Sequence, residues 1–531
     1  MPPPTNARRI AWLPDLIYVG GRFESGLALV SDEGTGRVVG FTREYERAGA
    51  RVVRLPGRAL LPGMVNAHSH AFQRVIRGRT EYRTAARDSF WTWREQMYSA
   101  ATRLSPEDLY DASRMAFLEM ALSGVTAVGE FHYLHHEAGG ACYDDPNLLS
   151  KQVVRAARDV GLRIALLRVA YARAGFDAPP NPRQSRFNTP DADTFLKHLD
   201  ALSRDLACAH AAGKAAPTDA PAPTDAPAPT DALAWAGVAP HSVRAVPLHY
   251  LRAVAAHARE RGLSVHMHVA EQPAENEACV REHGRTPVRL LADEGLLDAR
   301  FTAVHAVHIT PEEARMLSGA NVCACPTTER NLGDGIVPAD LLFDAGARVS
   351  LGTDSHAQID LLEDARELEY HLRLQKLSRA VLAPHAGGAG GAAGNVGHGP
   401  AQDDDRAQDD DGRAQADGGA QDDDGRAPIS ALAARLFECA TANGARSIGF
   451  GGGELRAGAP ADFFTVDLSD ASIAGASADD LLPAVVFALV RTAVRDAVVA
   501  GRPVVEAGRH AAQEDIVSRF AALQRKLWGR V

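Results

Sequence analysis

The amino-acid sequence predicts an α/β fold: a (β/α)₈ TIM-like barrel accompanied by a small β-sandwich built from the N- and C-terminal segments. Three observations carry this expectation. Eight short apolar runs recur along the middle of the chain, and each ends in polar residues. Helical patterns lie between many of them, as in a parallel sheet buried on both faces by its crossover helices. Toward both ends of the chain the apolar pieces are shorter and broken by glycine, as at Leu16–Val19 and Ala497–Val499.

The eight runs are Ala59–His68, Val125–Tyr133, Arg163–Tyr171, Ala234–His241, Ser264–Glu271, Phe301–His308, Asn321–Thr327 and Arg348–Asp354. The clearest helix starts at Ser105-Pro106-Glu107-Asp108, an N-cap followed by proline at the first helical position and acids in the first turn. It continues through Met115, Leu118, Glu119 and Leu122, and Gly124 stops it. The barrel is expected over residues 61–445. Because the glycine-broken pieces bracket it, residues 1–60 and 446–531 are expected to pair into one sandwich beside it. Two stretches interrupt the barrel. Residues 216–231 repeat Ala-Pro-Thr-Asp, and residues 384–426 run through Gly/Ala into three Asp-Asp-Asp blocks. Apart from Val396, both lack aromatic and β-branched aliphatic residues, so burial cannot offset their ordering entropy, and they are expected to be disordered inserts.

Composition narrows the function. At 531 residues, 46% hydrophobic and 23% charged, the chain has a globular profile, with nothing near the ~18 consecutive apolar residues of a membrane span. The formal charge is −10, of which Ala401–Arg426 supplies −7. The remainder excludes a basic nucleic-acid binder, so neither nucleic acid nor membrane is an expected partner. Met1–Leu13 has no apolar signal-type core, and six cysteines are few for this length. A reduced, cytoplasmic setting is expected.

Barrel enzymes build their sites at the C-terminal ends of the strands, and that is where the unusual residues fall. The first run ends in His68-Ser69-His70, two imidazoles at i and i+2 that point the same way on an extended chain. The fifth reads His266-Met267-His268-Val269-Ala270-Glu271, the sixth carries His305 and His308, and the eighth ends in Asp354-Ser355-His356. Any one histidine is ordinarily a satisfied polar residue. Four strand ends carrying them together point to a metal centre. Three neutral imidazoles and a carboxylate suit a zinc-type ion with room for a water. None of the five lysines closes an apolar strand, where a two-metal site would carry a bridging carboxylated lysine, so one metal is expected. Glu271, three residues past His268, is placed to take a proton from water and pass it to a departing amine. His305 is either a further ligand or a group that orients the water. Trp91 and Trp93 read as packing residues, and Cys323-Ala-Cys325 as buried core.

With these residues in hand, Leu61-Pro-Gly-Met-Val-Asn-Ala-His-Ser-His70, His268-Val-Ala-Glu271, His305 and Thr353-Asp354 resemble the amidohydrolase superfamily, in its one-metal deaminase branch. A finer resemblance is to the formimidoylglutamate deiminases of histidine degradation. It rests on His70-Ala-Phe-Gln-Arg74, Asp88-Ser-Phe-Trp-Thr-Trp-Arg94-Glu-Gln-Met-Tyr98, Glu130-Phe-His-Tyr133-Leu-His-His136, Ala239-Pro-His241-Ser-Val-Arg244-Ala-Val246 and Cys325-Pro-Thr-Thr-Glu-Arg-Asn-Leu-Gly-Asp-Gly335. The resemblance implies that His68, His70, His268 and Asp354 bind one zinc ion. It makes Glu271 the proton shuttle, aided by His305 and Asp354, and lines the substrate pocket with Gln73, Arg94, Tyr133, His241, Arg244 and His305. It also implies a homodimer, and hydrolysis of N-formimidoyl-L-glutamate to N-formyl-L-glutamate and ammonia. The chemistry of such a dicarboxylate agrees, since Arg94 and Arg244 offer planar forks for two carboxylates. The alternative is a deaminase of guanine or another cyclic amidine on the same scaffold, which has little use for two arginines. A barrel kept only as a scaffold would be expected to have lost a ligand or Glu271, and the sequence keeps both.

Overall fold

A computed structural model describes residues 9–47, 49–82, 89–176, 178–179, 181–213, 232–384 and 430–529. The two expected inserts, apart from Pro384, lie outside the described residues, as does Asp88.

Eight parallel strands pair in sequence order: Met64–Ser69, Val125–His132, Arg163–Ala170, Ala234–Pro240, Val265–Val269, Phe301–His305, Asn321–Ala324 and Arg348–Leu351. All eight residues of Val125–His132 and of Arg163–Ala170 are buried, as strands covered on both faces require. The first and eighth strands meet at a parallel bridge between Ser69 and Asp354, where Asp354 N–H donates to His68 O and His70 N–H to Asp354 O, both at 3.0 Å. The barrel expected from the sequence is therefore present, and its closing seam is made by residues singled out as metal ligands.

One boundary differs. The run Ala59–His68 is not a single strand. Arg51–Pro62 belongs to the other sheet, where it pairs with Phe463–Asp467, and Met64–Ser69 opens the barrel. Gly63 makes the crossing between them, since a Cβ there would stand 2.2 Å from Thr126 Oγ1. The helix after it forms as expected over Pro106–Leu122. Its capping box has Ser105 Oγ accepting from Asp108 N–H at 3.2 Å and Asp108 Oδ2 accepting from Ser105 N–H at 2.9 Å, an arrangement that contributes ~1 kcal/mol.

The flanking segments do pair, into one nine-stranded mixed sheet in which strands from the N-terminal side (residues 9–62) join those from the C-terminal side (residues 463–510). The sheet curls until Arg37 bridges Pro460, around an apolar cluster that includes Trp12, Leu29, Leu60 and Phe463. A buried bidentate pair, Arg163 Nε and Nη2 to Asp462 at 2.6 and 3.1 Å, fastens it to the start of the third barrel strand. The short helix Ala442–Ser447 covers the N-terminal end of the barrel, with Asn443 bonded to Val349 O and Ser447 O taken by His266. That leaves the C-terminal end open for chemistry. Helix Gln513–Trp528 packs against Pro106–Leu122 through Asp515–Arg114 and Lys526–Asp108.

Candidate active site

At the open end, the strand termini bring His68, His70, His268 and Asp354 together, with one donor atom from each lying within 4.8 Å of the others. His68 Nε2 and His70 Nε2 are 3.2 Å apart, and Asp354 Oδ1 is 3.3 and 3.1 Å from them. The other ring nitrogen of two of these histidines is tied to a carbonyl: His70 Nδ1 to Phe131 O at 2.9 Å and His268 Nδ1 to His241 O at 3.2 Å. A carbonyl only accepts, so each Nδ1 carries the proton and Nε2 is left facing inward. Burial pushes His68 down to about 3 and His268 well below the usual histidine range, so these rings are neutral. Inward lone pairs crowded around one anionic oxygen repel one another unless a cation lies among them. Three nitrogens and one oxygen are a donor set for zinc or a similar divalent ion, so these residues fit a metal.

A second grouping, His305, Cys325 and Asp354, shares the same carboxylate. Burial and its neighbour Cys323 push the Cys325 thiol well above its ordinary value. Both cysteines sit in a small core cluster with Ala67 and Val304, as expected from the sequence.

The local backbone is unusual. His305 has φ +73, Ala306 +49, Ala270 +53, Asp354 +41 and His356 +60, five of the nine non-glycine residues in the left-handed region among the described residues. Such conformations persist only where the surroundings enforce them, and they gather at functional sites.

Glu271 and His305 face each other beside the ligand cluster, Oε1 to Nε2 at 3.7 Å. On its far side His305 Nδ1 donates to Glu329 Oε1 at 3.2 Å. Burial disfavours a charged His305, but Glu271, Glu329 and Asp354 outweigh it and hold the ring well above the usual histidine range. Burial raises Glu271, with His305 working against it and Asp354 adding to it. Burial likewise lifts Glu275 to about 7, against the pull of Arg244, and Asp334 to about 9, with Glu271 adding to the rise.

Above the cluster lies a cavity of ≈ 510 Å³. His70, His268, Glu271 and Asp354 line its inner part, and Gln73, Arg94, Tyr133, His241 and Arg244 line the rest together with aromatic and apolar residues that include Phe90, Tyr98, Tyr171 and Phe187. His68 and His305 sit beneath it, His305 Nε2 being 3.9 Å from Asp354 Oδ2. Gln73 Nε2 donates to Tyr133 Oη at 2.8 Å, while Gln73 Oε1 is buried without a partner. Burial holds the Tyr133 phenol well above its ordinary value, so it keeps its proton. Arg94 and Arg244 each have a buried Nε without a partner. Burial works against the charge on Arg244, and Glu275, Tyr171, Glu271 and Tyr98 together outweigh it.

Trp91 and Trp93 read from the sequence as packing residues and Glu329 was not singled out, and the structure gives all three a place at the site. Trp93 lines the cavity, and Trp91 lies beneath the guanidinium groups of both Arg94 and Arg244. Trp91, Arg94 and Tyr98 fall at i, i+3 and i+7, one helical face, which was a usable signal. Glu329 reaches back from helix Pro326–Leu332 to Cys325 N–H and His305, a contact with no sequence signature.

The chain belongs to the amidohydrolase family, which it matches over residues 59–389 and 424–504, and it is a hydrolase acting on carbon–nitrogen bonds. Within that family it is 36% identical to the formimidoylglutamate deiminase of Pseudomonas aeruginosa, over 89% of this chain and 90% of that one. It is 29% identical to the 8-oxoguanine deaminase of the same organism, over 60% of this chain and 64% of that one. Among solved structures, an amidohydrolase from Brucella melitensis superposes with a TM-score of 0.78 at 28% identity, covering 98% of this chain and 99% of that one.

Proposed function

We propose that the protein hydrolyses N-formimidoyl-L-glutamate to N-formyl-L-glutamate and ammonia, using one zinc ion. The observation that carries this reading is the placement of Arg94 and Arg244 in one cavity above a His/His/His/Asp cluster and Glu271. A substrate with two carboxylates gives both guanidinium groups a bidentate partner. The 36% identical relative named formimidoylglutamate deiminase supports the same substrate.

A divalent ion held by His68, His70, His268 and Asp354 would supply Lewis acidity and lower the pKa of water toward ~7. The chain's own groups do the rest. Glu271, raised by burial, accepts a proton from the attacking water and returns it to the departing nitrogen. His305, held between Glu271 and Glu329, hydrogen-bonds the attacking oxygen. Asp354, anchored in the barrel seam, fixes the direction of attack. Gln73 and Tyr133 bind the substrate beside Arg94 and Arg244, and His241 orients His268 through its carbonyl. Water adds to the formimidoyl carbon. The bond from that carbon to the terminal nitrogen breaks as ammonia leaves, and the bond to the glutamate nitrogen stays.

Proton NMR of the products tests which bond is cut. N-Formylglutamate with ammonia is expected. Glutamate with formamide would mean that the proton reaches the glutamate nitrogen instead, and the delivery of the Glu271 proton to the terminal nitrogen would fail.

A further inference from the structure

We infer that Trp91 sets the spacing of the two guanidinium groups that select a dicarboxylate, and so is a positioning and specificity-determining residue; this inference rests on the dicarboxylate reading above. Trp91 and Arg94 are three residues apart on helix Phe90–Ala101, so their side chains share a face. The Arg94 guanidinium lies over the indole at 4.5 Å from the ring centroid and over Tyr98 at 5.6 Å. Arg244 comes from the loop after the fourth barrel strand, and its guanidinium stands over the same indole at 5.8 Å. Two cations thus share one aromatic ring.

Among the described residues, neither guanidinium makes a hydrogen bond or an ion pair, and the buried Nε of each is without a partner. Like charges brought together in a cavity repel, and an acidic partner in contact would hold them by occupying their N–H groups. An indole face attracts a cation through its quadrupole and takes none of those N–H groups. Both forks therefore remain free for carboxylates while their separation is fixed. Packing alone does not account for Trp91, because 37% of it is exposed.

The test uses the metal-loaded protein with Trp91→Leu and Trp91→Phe. Steady-state kinetics are read with N-formimidoyl-L-glutamate and with its monocarboxylate analogue N-formimidoyl-4-aminobutyrate. Trp91→Leu is expected to raise KM for the dicarboxylate ~10-fold, with kcat within ~2-fold, and to narrow its preference over the monocarboxylate. Metal content and melting temperature are expected to hold, and Trp91→Phe to recover most of the preference. A Trp91→Leu protein with wild-type KM and wild-type preference overturns the inference, as does a loss of kcat and stability that Trp91→Phe does not rescue. If the wild type itself does not turn over N-formimidoyl-L-glutamate, the function proposed above fails and takes this inference with it.

Discussion

Asp354 and His68 are joined twice: the Asp354 backbone N–H donates to the His68 carbonyl at 3.0 Å, and the Asp354 carboxylate lies 3.3 Å from His68 Nε2. Barrel closure and the ligand cluster are thus one structure. The strand pairing that completes the fold also sets the distance between two ligands.

This coupling makes Gly352 sensitive without being a ligand. A Cβ at that position would stand 2.7 Å from His68 Cβ and 2.9 Å from His68 O. Backbone atoms yield little, so Gly352→Ala is expected to push His68 away, to cost on the order of 1–3 kcal/mol of stability, and to lower metal content. Metal analysis and thermal unfolding check this. Full metal occupancy with an unchanged melting temperature would show that the seam relaxes freely.

Glu271 is not a ligand in this account. Glu271→Gln is expected to keep the metal and lose ~10²–10⁴-fold in kcat. Wild-type turnover in that variant would remove Glu271 from proton transfer.

Arg244→Met removes one carboxylate fork and leaves the ligand cluster intact. The expected result is a KM for N-formimidoyl-L-glutamate raised ~10–100-fold, the worth of a charged hydrogen-bonded contact, with metal content unchanged. Unaltered kinetics would take Arg244 out of substrate recognition.

Glu119 gives a pH-dependent prediction away from the chemistry. It accepts from Arg74 Nε and Arg77 Nη1, both at 2.6 Å, and so pins the segment after His70 that carries Gln73. Burial alone would raise its pKa, but Arg77 and Arg74 win and hold it below the ordinary 4.5. A depressed carboxylate stabilises the fold above its unfolded pKa, and that stability is lost as pH falls through the folded value. Glu119→Gln is therefore expected to cost about 1–3 kcal/mol near neutrality, less than a fully buried pair because the arginines are partly exposed. The deficit should hold down to pH ~5 and shrink below it. Denaturant midpoints across that range check it, and a deficit independent of pH would contradict the ion-pair origin.

Much of this was readable from the sequence because barrel strands impose fixed spacing. His68 and His70 at i, i+2, His268 followed by Glu271, and Asp354 at the eighth strand end all advertise themselves once the eight runs are aligned. The boundary at Gly63 was missed although Pro62-Gly63 marks a break, because apolar residues stand on both sides of it, Ala59–Leu61 and Met64–Val65, in two different sheets. Trp91 was passed over because an aromatic residue on a helix ordinarily packs inward, and only the approach of Arg244 from a distant loop gives it another task. Glu329 acts on His305 through a contact that local sequence does not encode.

The most direct measurement is ammonia release by the zinc-loaded protein with N-formimidoyl-L-glutamate and with guanine, side by side. Turnover of the first alone, with N-formylglutamate as co-product, is the result predicted here. Silence on the first with turnover of guanine would leave the barrel, the ligand cluster and Glu271 standing, and would contradict the role given to Arg94 and Arg244.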